Sequence, residues 1–200
     1  MSEPPSNPTP QPDVEPLSRV QVLTAMGVTA IVLLLASRLW LLLDPVALLP
    51  LDWSIQSALW GVGLGVGITA ASSITYRLWA GYRQSADYYL ALIIQPLALP
   101  DLIWLGLLPA LSEELLFRGV MLPSVGLNWY GLLISSLCFG VMHFSGREQW
   151  SYMIWATTIG LVLGWGALET GNLLVPVVAH IVTNLVSSCI WKWRMRDVAG

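Results

Sequence analysis

Charge is what this sequence has least of. Nine Lys and Arg with twelve Asp and Glu make up 10% of its 200 residues, where soluble domains carry about 25%. That shortfall excludes an ordinary soluble domain. The formal net charge of −3 is too small to point to nucleic acid or to a strongly acidic partner. Cysteine is scarce too. Cys138 and Cys189 both lie in apolar runs, where they read as small core residues rather than a disulfide or a metal pair. No H-E-x-x-H is present, so there is no zincin helix. The string Gly61, Gly63, Gly65, Gly67 follows no strand and carries no lysine, so it is not a phosphate loop. No small-residue cleavage site stands out by the first apolar run, which is too long for a signal peptide. No internal repeat is evident.

What the chain has in abundance is apolar length. It is 56% hydrophobic with a mean hydropathy of +0.68, which reads as an all-α, polytopic membrane helical bundle. Residues 1–18 hold six of the thirteen prolines and form a disordered tail ahead of a transmembrane domain over 19–200. Runs of near-membrane length at about 20–43, 54–76, 102–124, 129–145, 151–169 and 173–191 give about six spans. The stretch 88–100, broken by Pro96 and Pro100, reads as a re-entrant or interfacial segment. In the second span Gly63 and Gly67 make a small-xxx-small face for close helix approach. Of eleven tryptophans, Trp40, Trp53, Trp129, Trp150, Trp191 and Trp193 fall near the ends of apolar runs, where aromatic belts sit. Six spans put both termini in the cytoplasm. Arg19, Arg77, Arg83, Arg147 and the C-terminal basic cluster then lie inside, and Asp44, Asp52 and Glu169 outside, in agreement with the positive-inside rule at every loop.

Against this background the run Ser112-Glu113-Glu114-Leu115-Leu116-Phe117-Arg118-Gly119 stands out. Ionisable groups at membrane depth are costly and usually mark a wet cavity or a functional site. Glu114 and Arg118 are four apart on one helical face and can form an ion pair. Glu113 is turned about 100° away on a helix of 3.6 residues per turn and lacks that partner. An unpaired carboxylate in a poorly hydrated site suits the work of a general base, taking a proton from water. A solvated helix end at the interface would account for the same residues.

The chain has two histidines, His143 and His180, both in apolar spans. His180 and Asn184 share a helical face and can point at one spot. With a rise of 1.5 Å per residue, Glu113 lies about 16 Å from the inner end of its span, and His180 and Asn184 lie about 10–17 Å from theirs. His143 is only a few ångströms from its own span's inner end. All of these side chains can meet in the cytoplasmic half of the bilayer, joined by a cavity opening inward.

Glu113-Glu114-x-x-x-Arg118, Phe139-x-x-x-His143 and His180-x-x-x-Asn184, in that order and with matching flanks at Gly119 and Thr170-Gly171-Asn172, resemble the three motifs of the CAAX-protease and bacteriocin-processing family. This is the abortive-infection family of intramembrane glutamic endopeptidases. The resemblance covers roughly 100–192, the expected protease core. It implies that Glu113 and His143 activate a water, that His180 and Asn184 stabilise the oxyanion, and that Glu114, Arg118 and Phe139 support them. It also implies no metal, no cofactor and no nucleic acid. The substrate it implies is a peptide or membrane protein, which in the family includes lipidated chains, met among membrane lipids. Three other readings use the same residues. Glu113, His143 and His180 are the residue types of a His₂Glu zinc site. A non-catalytic membrane scaffold or chaperone could retain the same helices. A small transporter could use Glu113 as a proton relay.

Overall fold

The computed structural model describes residues 17–199, with side chains through Met195. The expected tail over 1–18 lies outside the described residues except for Leu17 and Ser18. Leu17 packs on the apolar layer around Val22 and Ile94. Ser18 caps the first helix, accepting from the Gln21 amide while the Gln21 side chain accepts from the Ser18 amide. That capping box satisfies two of the free amides at the helix start.

Among the described residues eight α-helices follow. They are α1 (Arg19–Leu43), α2 (Ile55–Leu78), α3 (Ala80–Ile94), α4 (Leu102–Glu114), α5 (Leu122–Val125), α6 (Trp129–Met142), α7 (Trp150–Thr170) and α8 (Leu174–Ala199). A π-helical segment, Leu115–Met121, joins α4 to α5. No strand occurs among the described residues. The all-α membrane bundle is what the composition predicted, with four to five candidate spans where about six were expected. By length and composition, four helices among the described residues are long and apolar enough to cross a bilayer, or up to five if Ala80–Ile94 and Leu99–Val125, bent by 108°, are taken as one broken span. Helix α6 has only 14 residues, about 21 Å against a hydrocarbon core of about 30 Å.

The segment expected as re-entrant or interfacial over 88–100 is in part a real helix. Helix α3 starts at Ala80 with only Trp79 between it and α2, so Arg77 lies in the last turn of one helix and Arg83 in the first turn of the next. Its inner stripe of Tyr82, Ala86, Tyr89, Leu90 and Ile93 recurs at helical spacing and lines a cavity, while Arg83, Gln84, Asp87 and Tyr88 are exposed.

Glycines decide how closely the helices pack. A Cβ at Gly61 or Gly65 would come within 2.6 Å of atoms of α8, so α2 and α8 touch backbone to backbone. Gly63 and Gly67, the pair expected to form that face, have nothing within 4 Å. Four glycines at every second position offer two opposite small-xxx-small faces, and only the partner helix chooses between them. Gly140 and Gly160 likewise bring α6 against α7, with a Cβ at Gly140 meeting Thr157 and one at Gly160 meeting Ser136. Cys138 and Cys189 are exposed on the outer surface, not core residues. Both lie in largely apolar helices, where composition alone does not tell a lipid face from a buried one.

The core is layered along the bundle. Val22, Ile94, Leu97 and Leu102 pack at one end, Leu33, Leu116, Phe117, Phe139 and Ala156 in the middle, and Leu49, Leu122, Leu132, Leu173 and Val177 at the other. The first end is basic. There Arg19 forms a bidentate pair with Asp101, both bonds 2.7 Å, and Lys192 donates to the Leu97 carbonyl at 2.6 Å. At the far end, with Asp44, Asp52 and Glu169, the Asn172 side chain straps the α1–α2 connection. It accepts from the Asp52 amide at 3.1 Å and donates to the Asp52 carbonyl at 2.8 Å and to Ser57. This polarity yields a first expected outcome. In a variant lacking Cys138 and Cys189, single cysteines at residues 80–86 and at the C-terminus should react only from the cytoplasmic side, and one at Glu169 only from outside. External labelling of the C-terminus would overturn the proposed orientation.

Candidate active site

The π-helical segment begins immediately after the paired glutamates. A π turn adds a residue to one helical turn and re-aims the side chains around it, often at functional sites. Here it carries Arg118, which is completely buried. The guanidinium donates through Nη1 to Glu114 Oε1 at 2.9 Å and through Nη2 to the Gly160 carbonyl at 2.9 Å. Its Cζ lies 4.4 Å from the centre of the Phe139 ring. The ion pair expected from the i, i+4 spacing is therefore present, and α7 supplies a further acceptor. A buried charge persists only when paired and hydrogen-bonded; Arg118 has its ion pair and two hydrogen bonds, while its Nε and Glu114 Oε2 have no protein partner among the described residues.

The Glu114 carboxylate has a second partner. His180 Nδ1 lies 2.7 Å from the same Oε1. A carboxylate can only accept, so Nδ1 carries the proton. This contact was not legible from sequence, where the spacing paired His180 with Asn184 instead. His180 and Asn184 do line the same cavity, but Asn184 donates through Nδ2 to the Leu105 carbonyl of α4 at 3.3 Å.

Glu113 points elsewhere, as the helical geometry required. It is buried, with 7% of its surface exposed, and its Oε2 has no protein hydrogen-bond partner among the described residues. That oxygen lies 4.0 Å from His143 Nε2. Because α6 is short, its C-cap His143 reaches the depth of Glu113. The His143 Nδ1 lies 2.8 Å from the Phe139 carbonyl, an obligate acceptor, so Nδ1 carries the proton and Nε2 is left as an acceptor. Tyr89 of α3 donates to the His143 carbonyl at 3.0 Å and contacts Ser145, holding the end of α6. Phe139 is the hub of the group. Its ring lies 4.7 Å from that of His143, 6.1 Å from His180 and 5.4 Å from Phe117.

Glu113, His143, His180 and Asn184 all line one cavity of about 650 Å³, whereas Glu114 and Arg118 are packed behind it. Helix α1 contributes Met26 and Thr29, and α7 contributes Tyr152 and Trp155. Sequence reasoning missed the aromatic wall of Tyr82, Tyr89 and Tyr152, whose rings pack together. The helical recurrence of apolar and aromatic residues within 82–93 was the signal for it. Among the described residues no three His, Cys, Asp or Glu side chains form a group able to hold a metal ion.

Such an arrangement defines an integral membrane helical bundle with a carboxylate and an imidazole 4.0 Å apart on the wall of one cavity. The chain belongs to the Rce1-like family: the family model described as type II CAAX prenyl endopeptidase Rce1-like matches residues 95–186, a span that contains all three motifs. It is 32% identical over 140 residues, 68% of this chain and 71% of the relative, to "Uncharacterized protein YpbD" of Bacillus subtilis (strain 168). It is 30% identical over 105 residues to "Uncharacterized 24.3 kDa protein" of Escherichia coli, with 48% of each chain covered. No solved structure matches.

Proposed function

We propose that this chain is an intramembrane glutamic endopeptidase of the CAAX prenyl protease-like type, hydrolysing peptide bonds near the cytoplasmic face of the membrane. The observation that carries the reading is the 4.0 Å approach of Glu113 Oε2 to His143 Nε2 at a cavity wall. A water about 2.8 Å from each acceptor fits across that gap and gives up its two hydrogens in two hydrogen bonds. Attack on the scissile carbonyl carbon passes one proton to Glu113. Collapse of the tetrahedral intermediate breaks the C–N bond, and Glu113 returns the proton to the leaving amine.

The negative charge that develops on the carbonyl oxygen needs donors. Asn184 has an N–H beyond the one given to Leu105. His180 donates from Nε2 only as an imidazolium, because Nδ1 is already committed to Glu114. With Glu113 and Glu114 ionised and Arg118 and His180 cationic, the four groups sum to zero charge. That neutral set is tolerable at this depth, unlike an isolated ion. Preorganised donors in such a site typically contribute about 10²–10³ in kcat each.

The site uses no metal and no cofactor in this reading. Its substrates are peptides or membrane proteins, lipidated ones among them, bound with lipid around the cavity mouth. Purified protein in detergent or lipid is expected to cleave membrane-derived peptides, and to keep doing so after prolonged phenanthroline treatment with no stoichiometric zinc present. Activity lost to the chelator and restored by zinc would replace this mechanism with a metalloprotease one. No cleavage of any peptide pool would remove the protease reading.

A further inference from the structure

Pro109 lies inside α4, one helical turn before Glu113. Proline has no N–H, so the carbonyl four residues earlier, that of Leu105, loses its helical partner. A carbonyl left open in an apolar wall is costly unless something donates to it. The donor here is Asn184 of α8, whose Nδ2 lies 3.3 Å from Leu105 O. Because that carbonyl can only accept, the NH₂ end of the amide must face it, which orients the Asn184 side chain. A second feature makes the reach possible. A Cβ at Gly106 would fall 2.7 Å from Leu185 Cγ, so glycine at this position lets α8 approach α4 beside Asn184. Leu105, Pro109, Glu113 and Asn184 all line the cavity.

We propose that Pro109 is a positioning residue: by withholding an N–H from Leu105, it creates the acceptor that holds the Asn184 amide at the reaction site. The catalytic part of this inference rests on the endopeptidase reading above; the hydrogen-bond part does not. A proline inside a helix ordinarily weakens it. This one converts the loss into a fixed donor beside the general base. The amide's other N–H stays available to the substrate, and its angle is set by α4 rather than by its own rotamer freedom.

The test is a double-mutant cycle of Pro109→Ala and Asn184→Ala, read in both turnover and thermal stability. Pro109→Ala restores the helical bond to Leu105 and frees the amide. It should lower kcat about 10–100-fold, the size of effect that a small misplacement produces, with KM little changed and Tm unchanged or raised. In the Asn184→Ala background the same substitution should cost no further turnover. In stability, Asn184→Ala should lower Tm in the otherwise wild-type chain, but not in the Pro109→Ala background, where Leu105 has its own partner. Losses that multiply in the double variant would show that Pro109 acts on something else, such as the direction of Glu113, and would overturn the proposal. So would wild-type turnover in Pro109→Ala. Coupling in Tm without cleavage by the wild-type protein would keep the Pro109–Asn184 link and overturn the protease reading instead.

Discussion

Glu113→Gln is expected to reduce turnover by about 10²–10⁴, the usual cost of removing a general base, while leaving the protein at least as stable as wild type. The substitution keeps the shape of the side chain and removes only its capacity to take a proton. Stability should not suffer, because Glu113 Oε2 has no protein hydrogen bond to lose, and once its charge is gone a neutral His180, still donating Nδ1–H to Glu114, keeps the buried set with Arg118 at zero net charge. Peptide-cleavage kinetics beside thermal unfolding in detergent read both quantities. Suppose Glu113→Gln instead complements a null strain fully, as do His180→Ala and Asn184→Ala. The constellation would then not be catalytic, and a scaffold or chaperone on the same helices would be the better account.

The neighbouring glutamate should behave in the opposite way. Glu114 is completely buried and accepts from both Arg118 and His180. Glu114→Gln leaves the Arg118 guanidinium, also fully buried, without its ion pair. Breaking a buried pair from one side costs about 3–5 kcal/mol, which for a chain of this size lowers Tm by on the order of 10 °C. Activity should fall with it, since His180 loses the carboxylate that fixes its Nδ1 proton and stabilises the imidazolium. A variant with unchanged Tm and full activity would show that Arg118 is held by α7 alone. The two substitutions are chemically identical and adjacent. Their separation, with one losing rate and the other losing fold, is what distinguishes a cavity-facing base from a buried counter-ion.

The positions that were legible in the sequence share a property: local helical geometry decides them. The i, i+4 spacing places Glu114 against Arg118, and the rotation of about 100° per residue turns Glu113 away. His143 and His180 were conspicuous because polar groups at membrane depth are rare. Other assignments needed a partner helix. Gly63 and Gly67 satisfied the same spacing rule as Gly61 and Gly65, and only the position of α8 made the second pair the contact face. Cys138 and Cys189 are small residues in largely apolar helices, and their spacing did not reveal that they face outward.

By itself, the sequence determined that this protein is a helical membrane bundle, since its low charge and long apolar runs leave the backbone no other way to satisfy its hydrogen bonds in lipid. It also determined which ionisable residues that bundle must accommodate. Only the tertiary structure decided what those residues meet. Glu114 takes His180 from a helix 66 positions away, Asn184 turns to a carbonyl freed by Pro109, and the short helix α6 brings His143 to the depth of Glu113. These contacts join residues far apart in the chain, and their geometry depends on interhelical distances set by glycines and by a π turn. No periodicity along one helix carries that information.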